Sequence, residues 1–440
     1  MSYSPSWVTY AEQLVGRGFG LPLWQPEAEP GPYGDVQIGD VGFVSEGQFI
    51  RLFNAMYPAD HPINVYGVPQ NFVVLQPDRR HFRTRPRYVA PGPICTSTTR
   101  FQKVGAEVAD QANIVGASYS FSCHGSKGAV TVLGGFGHQE WYISNRAFWE
   151  YIAAHHSSWC TYAKEKGFLV RSDAIVLVSG WLKTTNWALA AISNSSTAHE
   201  FSISASAGSY ASASFEVTAG SAVQMSWVTR CGPFNDDVSP GACNQCLFIR
   251  YYKIKTRPLK LGRAIGVKAE ARDLVDPGDG RPSRAEYSAL RRFFDRLLNA
   301  QRDISSPSSA DQAPQECEDE VTGDLSSGSM DIEISEEPNI YCLSIAEPLN
   351  DLLELVLERR PDAKSVVLCH DDLFSLFPPE MYPQGITKDA MQEQLRVQGL
   401  ETKVDDDGVA YVFITPNPVI EGDAVEGTAL SRFLQDAGFH

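Results

Sequence analysis

The feature that most constrains this chain is the strict alternation between Phe201 and Ala219. Phe201, Ile203, Ala205 and Ala207 interleave with Ser202, Ser204 and Ser206; after Gly208-Ser209, Ala211, Ala213, Phe215 and Val217 interleave with Ser212, Ser214 and Glu216. Successive side chains of a β-strand point to opposite faces, so a period of two predicts strands with one apolar and one hydroxyl face. Gly208-Ser209 supplies the bend, and residues 201–219 are expected to form a hairpin.

The same pattern recurs upstream. Ala117, Tyr119, Phe121 and Cys123 alternate with Ser118, Ser120, Ser122 and His124, then Gly125-Ser126-Lys127-Gly128 offers a turn before Ala129 to Leu133. A second hairpin over 113–133 is the expectation. Gly39 to Val44, Phe49 to Phe53, Ala174 to Val178, Trp187 to Ile192, 222–228 and 246–255 predict further strands. Phe148, Tyr151, Ile152, His155, Trp159 and Tyr162 recur at helical spacing, so residues 145–166 predict one helix with His155 toward the core and Gly167 as its stop. The fold class is therefore α+β: a β-rich mixed N-terminal domain over 1–260, with long antiparallel hairpins around one helix. A capping box, Ser283 to Glu286, predicts a helix within an extension over 261–302. Residues 303–338, rich in Ser, Asp, Glu and Pro, have the composition of a disordered acidic linker. Strand–helix–strand order then predicts a small α/β module over 339–440, separate from the first domain.

Charge is divided between the two ends. Residues 1–302 carry 30 Lys and Arg against 24 Asp and Glu, a net of +6; residues 303–440 carry 7 against 29, a net of −22. Two such halves attract, and the basic half has clusters suited to anionic surfaces. One is Arg79, Arg80, Arg83, Arg85 and Arg87; the other lies within 250–260 and includes Arg250, Lys253 and Lys255. Nothing points to nucleic acid as the partner. The first twenty residues lack the basic-then-apolar order of a secretory signal, and no run approaches the ~20 apolar residues of a membrane helix. With nine cysteines, an odd number, reduced thiols and a cytoplasmic address are expected.

Motifs for catalysis or cofactors are weak. Cys231, Cys243 and Cys246 give three thiolates and no fourth ligand at zinc spacing, so no metal is expected. In Cys369-His370-Asp371-Asp372, neighbouring residues on a strand diverge, and a turn capped by Asp371 or Asp372 fits better than a nucleophile–base pair. No phosphate loop or nucleophile elbow is present. The chain is not expected to be an enzyme or to carry a cofactor; a site using Cys369 or His370 is the third choice.

The order of elements adds a resemblance. A hairpin (113–133), a helix (145–166), the strand Val176-Leu177-Val178-Ser179-Gly180-Trp181-Leu182-Lys183-Thr184-Thr185, a hairpin (201–217) and Thr218-Ala219-Gly220-Ser221-Ala222-Val223 together resemble the gasdermin pore-forming domain. The likeness covers about 115 residues. Trp159 and Val178-Ser179-Gly180 are also similar to phrases in uncharacterised fungal families. The gasdermin resemblance implies a basic pore-forming domain restrained by its C-terminal region, cleaved by an activating protease within 303–338, and assembling as a homo-oligomer on acidic phospholipid membrane. Ala117, Tyr119, Phe121, Phe201, Ile203, Phe215 and Val217 are then the membrane-hairpin candidates, and the two basic clusters the headgroup candidates. The first hundred residues and the α/β C-terminus depart from that family. The alternative expectation is a non-enzymatic intracellular protein-interaction protein.

Overall fold

A computed structural model describes residues 4–106, 117–123, 126–143, 146–193, 199–208, 212–219, 227–233, 242–257, 345–382, 386–398 and 402–412. The expected linker, the helix at 282–302 and the strand at 340–345, save for Ile345 itself, lie outside them. Helices and strands combine as α+β with strands prevailing, in agreement with the class read from the sequence.

The fold is organised by the longest strand among the described residues, β15 (Gln245–Thr256). Cys246 through Ile249, Tyr251, Tyr252 and Ile254 are all buried, and a nearly continuous apolar run of this kind requires cover on both faces. On one side β15 pairs antiparallel with β10 (Val176–Thr184). β10 is flanked along its first residues by β2 (Asp40–Ser45) and β3 (Gln48–Asn54). Further along it is flanked by β9 (Gly137–Tyr142), which carries β4 (Phe82–Val89). On the other side β15 meets β1 (Leu21–Pro22) and then β16 (Ser365–Cys369). β18 (Val409–Val412) runs parallel to β16 and pairs with β17 (Thr402–Val404), completing a ten-stranded sheet.

Helices cover the two faces. α2 (Arg146–Glu165) presents Phe148, Tyr151, Ile152, Trp159 and Tyr162 at three- and four-residue spacing to Phe53, Leu177 and Tyr252. The core-facing histidine is His156, not the expected His155, because position 156 follows Ile152 by one full turn and precedes Trp159. α3 (Pro348–Arg359), α4 (His370–Leu376) and α5 (Lys388–Gln398) cover the opposite face. There Leu349, Leu352, Leu353 and Val356 meet Val176, Val178 and Tyr251. The C-terminal residues thus extend the N-terminal sheet: Val366 and Leu368 enter one core, Val367 and Cys369 the other.

Two four-stranded sheets complete the molecule. One has the order β14 (Trp227–Gly232), β11 (Trp187–Ser193), β8 (Lys127–Leu133), β5 (Gly92–Cys95); the other β13 (Ser212–Ala219), β12 (His199–Gly208), β7 (Ala117–Cys123), β6 (Thr99–Ala106). The hairpin expected over 201–219 is present, with Phe201 opposite Ala219 and Ala207 opposite Ala213. The hairpin expected over 113–133 is not. β7 pairs with β6 and β12, while β8 pairs with β5 and β11, so the two strands belong to different sheets and are not partners.

Candidate functional site

Strand order turns these eight strands into four long passes. β5 leads into β6, β7 into β8, β11 into β12 and β13 into β14, and both sheets keep the same sequence of neighbours. Each pass is a strand of one sheet followed in the chain by a strand of the other: 92–95 then 99–106, 117–123 then 127–133, 187–193 then 199–208, and 212–219 then 227–232. β6 and β7 pair antiparallel, as do β12 and β13, so two strand pairs lie side by side. β7 contacts β12 at the seam between them, with Phe121 opposite Phe201 and Tyr119 opposite Ile203.

Register sorts the residues into two faces. One set of rows runs Phe101–Phe121–Phe201–Ala219, then Lys103–Tyr119–Ile203–Val217, then Ala106–Ala117–Ala205–Phe215. The rows between them are Gln102–Ser120–Ser202–Thr218 and Gly105–Ser118–Ser204–Glu216. All seven hairpin candidates named from the sequence fall in the first set of rows, and serines make up half of the rows between them, beside Gln102, Gly105, Glu216 and Thr218.

A crease joins the two sheets. Phe121 and Cys123 are buried there against Cys95, Val130, Val132, Ala188 and Ala190. At its corner Thr98 Oγ1 donates to Lys127 O at 2.9 Å, and the Thr96 and Thr99 hydroxyls meet at 3.1 Å. Gly128 leaves no room for more: a Cβ there would lie 2.7 Å from Cys123 Sγ and 2.8 Å from Thr99 Oγ1. The other face of the inner sheet is covered by α1 (Ser6–Leu14), whose Tyr10 and Leu14 pack with Leu133, Trp187 and Leu189. Away from the crease the apolar face opens, and Phe101 is 43% exposed.

The structure separates the basic candidates into two kinds. Arg79 and Arg80, in a 3₁₀ turn, and Arg83, Arg85 and Arg87 of β4 are exposed. Arg85 lies over the rings of Trp141 and Tyr88, at 4.9 and 5.2 Å, and Arg87 over Phe136 at 5.1 Å. Arg80 holds Asp78, whose carboxyl its hydrogen bonds keep down near a pKa of about 2. Arg250, Lys253 and Lys255 of β15 instead grip carboxylates of the C-terminal residues. Arg250 Nη1 donates to Asp371 Oδ1 at 2.8 Å and Lys255 Nζ to Glu354 Oε1 at 2.6 Å, while Lys253 Nζ lies 3.5 Å from Glu347 Oε2. Arg257 adds hydrogen bonds to Arg360 O at 2.9 Å and Ala363 O at 3.1 Å. A cation on a strand covered on both faces needs such partners, since leaving one unpaired costs several kcal/mol, on the order of 3–5.

Trp141 links the two kinds. Arg83, Trp141, Gly180 and Arg250 form one row across β4, β9, β10 and β15. A Cβ on Gly180 would lie 2.6 Å from Trp141 Cβ, so only glycine admits the indole. Arg250 reaches that ring at 6.0 Å from its other side of the row, next to Phe374 at 5.4 Å.

Glu347 forms the buried centre of the clamp. Tyr251 Oη donates to it, and burial beside this carboxylate raises the tyrosine's pKa well above its usual value. His370 lies alongside, fully buried, its pKa pushed down to about 4 by desolvation. Cys369 and His370 diverge, the thiol into the α2-side core and the ring toward Tyr251, and neither is exposed. The cap is made by Asp372, whose carboxylate accepts the Cys369 N–H at 2.9 Å. Among the described residues no group of three His, Cys, Asp or Glu is placed to hold a metal, and no helix is long and apolar enough to cross a membrane.

No family model matches the chain, and no curated protein matches it. Sequence reasoning missed Glu347, Glu354 and Trp141, and offered Asp371 as a cap rather than as the partner of Arg250. The opposed net charges of the two ends signalled the clamp, but nothing local to those residues identified them.

Proposed function

We propose that this chain is the restrained form of a membrane-permeabilising protein whose two hairpins, 92–133 and 187–232, enter acidic bilayers. The observation that carries this reading is the register of β6, β7, β12 and β13, which aligns rows such as Phe101–Phe121–Phe201 with one another and polar rows such as Gln102–Ser120–Ser202–Thr218 between them. A strand of ~9–11 tilted residues crosses the hydrocarbon core, and a strand pair inserts only if alternate residues suit lipid and water. β12, at ten residues, already has that length, and β11 precedes it in the same pass. The exposed arginines Arg79 to Arg87, of which Arg85 lies over Tyr88 and Trp141 and Arg87 over Phe136, suit phosphate headgroups, which attract cations at roughly 1 kcal/mol each. The clamp on β15 holds the acidic C-terminal residues in place as the restraint, and copies of the chain then assemble edge to edge, since open strand edges are not tolerated in lipid.

A protease site introduced within 303–338 of the full chain tests this. Cleaved protein should release dye from vesicles containing acidic phospholipid, and uncleaved protein should not. A cleaved, folded protein that neither binds nor permeabilises such vesicles rules the reading out and favours the interaction protein. The participation of Val366, Val367 and Leu368 in the shared cores supports that alternative, because it makes the C-terminal residues part of the fold.

A further inference from the structure

His370 opens α4 directly after β16 and faces β15 across the docked C-terminal segment. The backbone N–H of Tyr251 donates to its Nδ1 at 3.3 Å. That bond fixes the neutral tautomer, with the ring proton on Nε2. Nε2 lies 3.5 Å from Glu347 Oε1 and has no hydrogen-bond partner among the described residues. Every element packed on the ring contributes charge. β15 supplies Arg250 and Lys253, the start of α3 supplies Glu347, and α4 itself supplies Asp371 and Asp372. The last two are committed, Asp371 to Arg250 and Asp372 to the Cys369 N–H, and Glu347 already takes the Tyr251 hydroxyl and faces Lys253.

A second proton on the ring must enter at Nδ1, where the Tyr251 N–H is already aimed. Two donors would then oppose each other across the seam, in a buried site flanked by two cations. Burial, together with the two cations and the opposed N–H, disfavours the imidazolium in the docked geometry more than Glu347, 3.5 Å from Nε2, favours it.

We propose that His370 is a proton-sensitive latch: the segment 345–412 docks on β15 while the ring is neutral and loosens when the ring takes up a proton. The inference concerns docking alone and holds whether or not the hairpins enter membranes. Its sign follows from the lowered pKa. Undocked, the ring titrates near its ordinary 6.5; docked, near about 4. The full docking strength is present above pH 6.5, declines as pH falls below it, and is exhausted near pH 4. Between pH 7 and pH 5 the docking equilibrium should weaken about 20-fold.

Hydrogen exchange of amides 365–369 in the full chain reads this directly. Corrected for intrinsic exchange, wild-type protection should fall by that factor from pH 7 to pH 5. In His370→Asn, whose side-chain carbonyl accepts the Tyr251 N–H without titrating, protection should be nearly flat. Long-range proton–nitrogen spectra of the wild-type rings give an independent reading, in which His370 stays the neutral Nε2–H tautomer at pH 6. An equal fall in both proteins, or a His370 ring that titrates near 6.5 in the folded chain, overturns the proposal.

Discussion

Arg250 and Asp371 lie 121 positions apart in sequence and meet at 2.8 Å, with 14% and 23% of their side-chain surfaces exposed. The pair ties the central strand to the helix that follows β16. It is sheltered enough to count, unlike the exposed Arg396–Glu393 pair on α5.

Asp371→Ala should therefore destabilise the full chain by about 2–3 kcal/mol in urea unfolding, because a largely buried guanidinium loses its charged acceptor. Glu393→Ala should leave the midpoint unchanged, since exposed pairs contribute little. Equal effects would mean that the clamp contributes no more than surface charge.

Phe121 and Phe101 stand opposite each other on the apolar face and differ in burial, at 0% and 43% exposed. Phe121→Ala should cost about 3–5 kcal/mol, the usual range for emptying a buried aromatic site. Phe101→Arg should leave stability within roughly 0.5 kcal/mol. In the cleaved protein, however, Phe101→Arg should suppress dye release, since a cation on a lipid-facing strand position costs about 2–4 kcal/mol near the bilayer midplane. Retained leakage would place this face away from lipid.

The local periods were readable and the pairings were not. β12 and β13 announce themselves because residues two apart share a face, and their joint is only a few residues long. The stretch 113–133 carries the same strand–turn–strand pattern, yet β7 and β8 lie in different sheets, and their partners come from other segments. Pattern alone does not distinguish a return from a bend. The basic stretch of β15 was misleading in a similar way. Arg250, Lys253 and Lys255 suggest an open surface until β16 is found beside them, with carboxylates supplied from about a hundred residues downstream. His155 and His156 differ by about 100° around a helix, and the choice between them turns on the phase of the buried stripe.

Gly128 tests the crease. Gly128→Ala should destabilise the fold by about 1–3 kcal/mol, because the new methyl group meets two buried side chains rather than a flexible tip. Cys123→Ala removes the nearer obstacle, so the double variant should be more stable than the two single effects summed. A double-mutant cycle checks this, and strict additivity would show that the two positions do not meet.

His156 sets part of the acid sensitivity of the whole fold. Its Nε2 donates to Ser172 O at 2.9 Å, and burial holds its pKa down to about 4. Unfolded, the ring titrates near 6.5, so the folded chain excludes a proton that the unfolded chain accepts. The contribution to stability is complete above pH 6.5 and is lost as pH falls through about 4, a total of roughly 3 kcal/mol. His156→Gln keeps a donor for Ser172 and does not titrate. Unfolding free energies measured from pH 7 to pH 4 should therefore fall less steeply in this variant, with the gap opening below pH 6.5. The same substitution should leave the pH dependence of exchange at residues 365–369 as it is in the wild type, because His156 lies on α2 and makes no contact with His370 among the described hydrogen bonds. A parallel pair of stability curves would mean that His156 is already neutral-indifferent in the fold, its ring reached by water through the α2 surface.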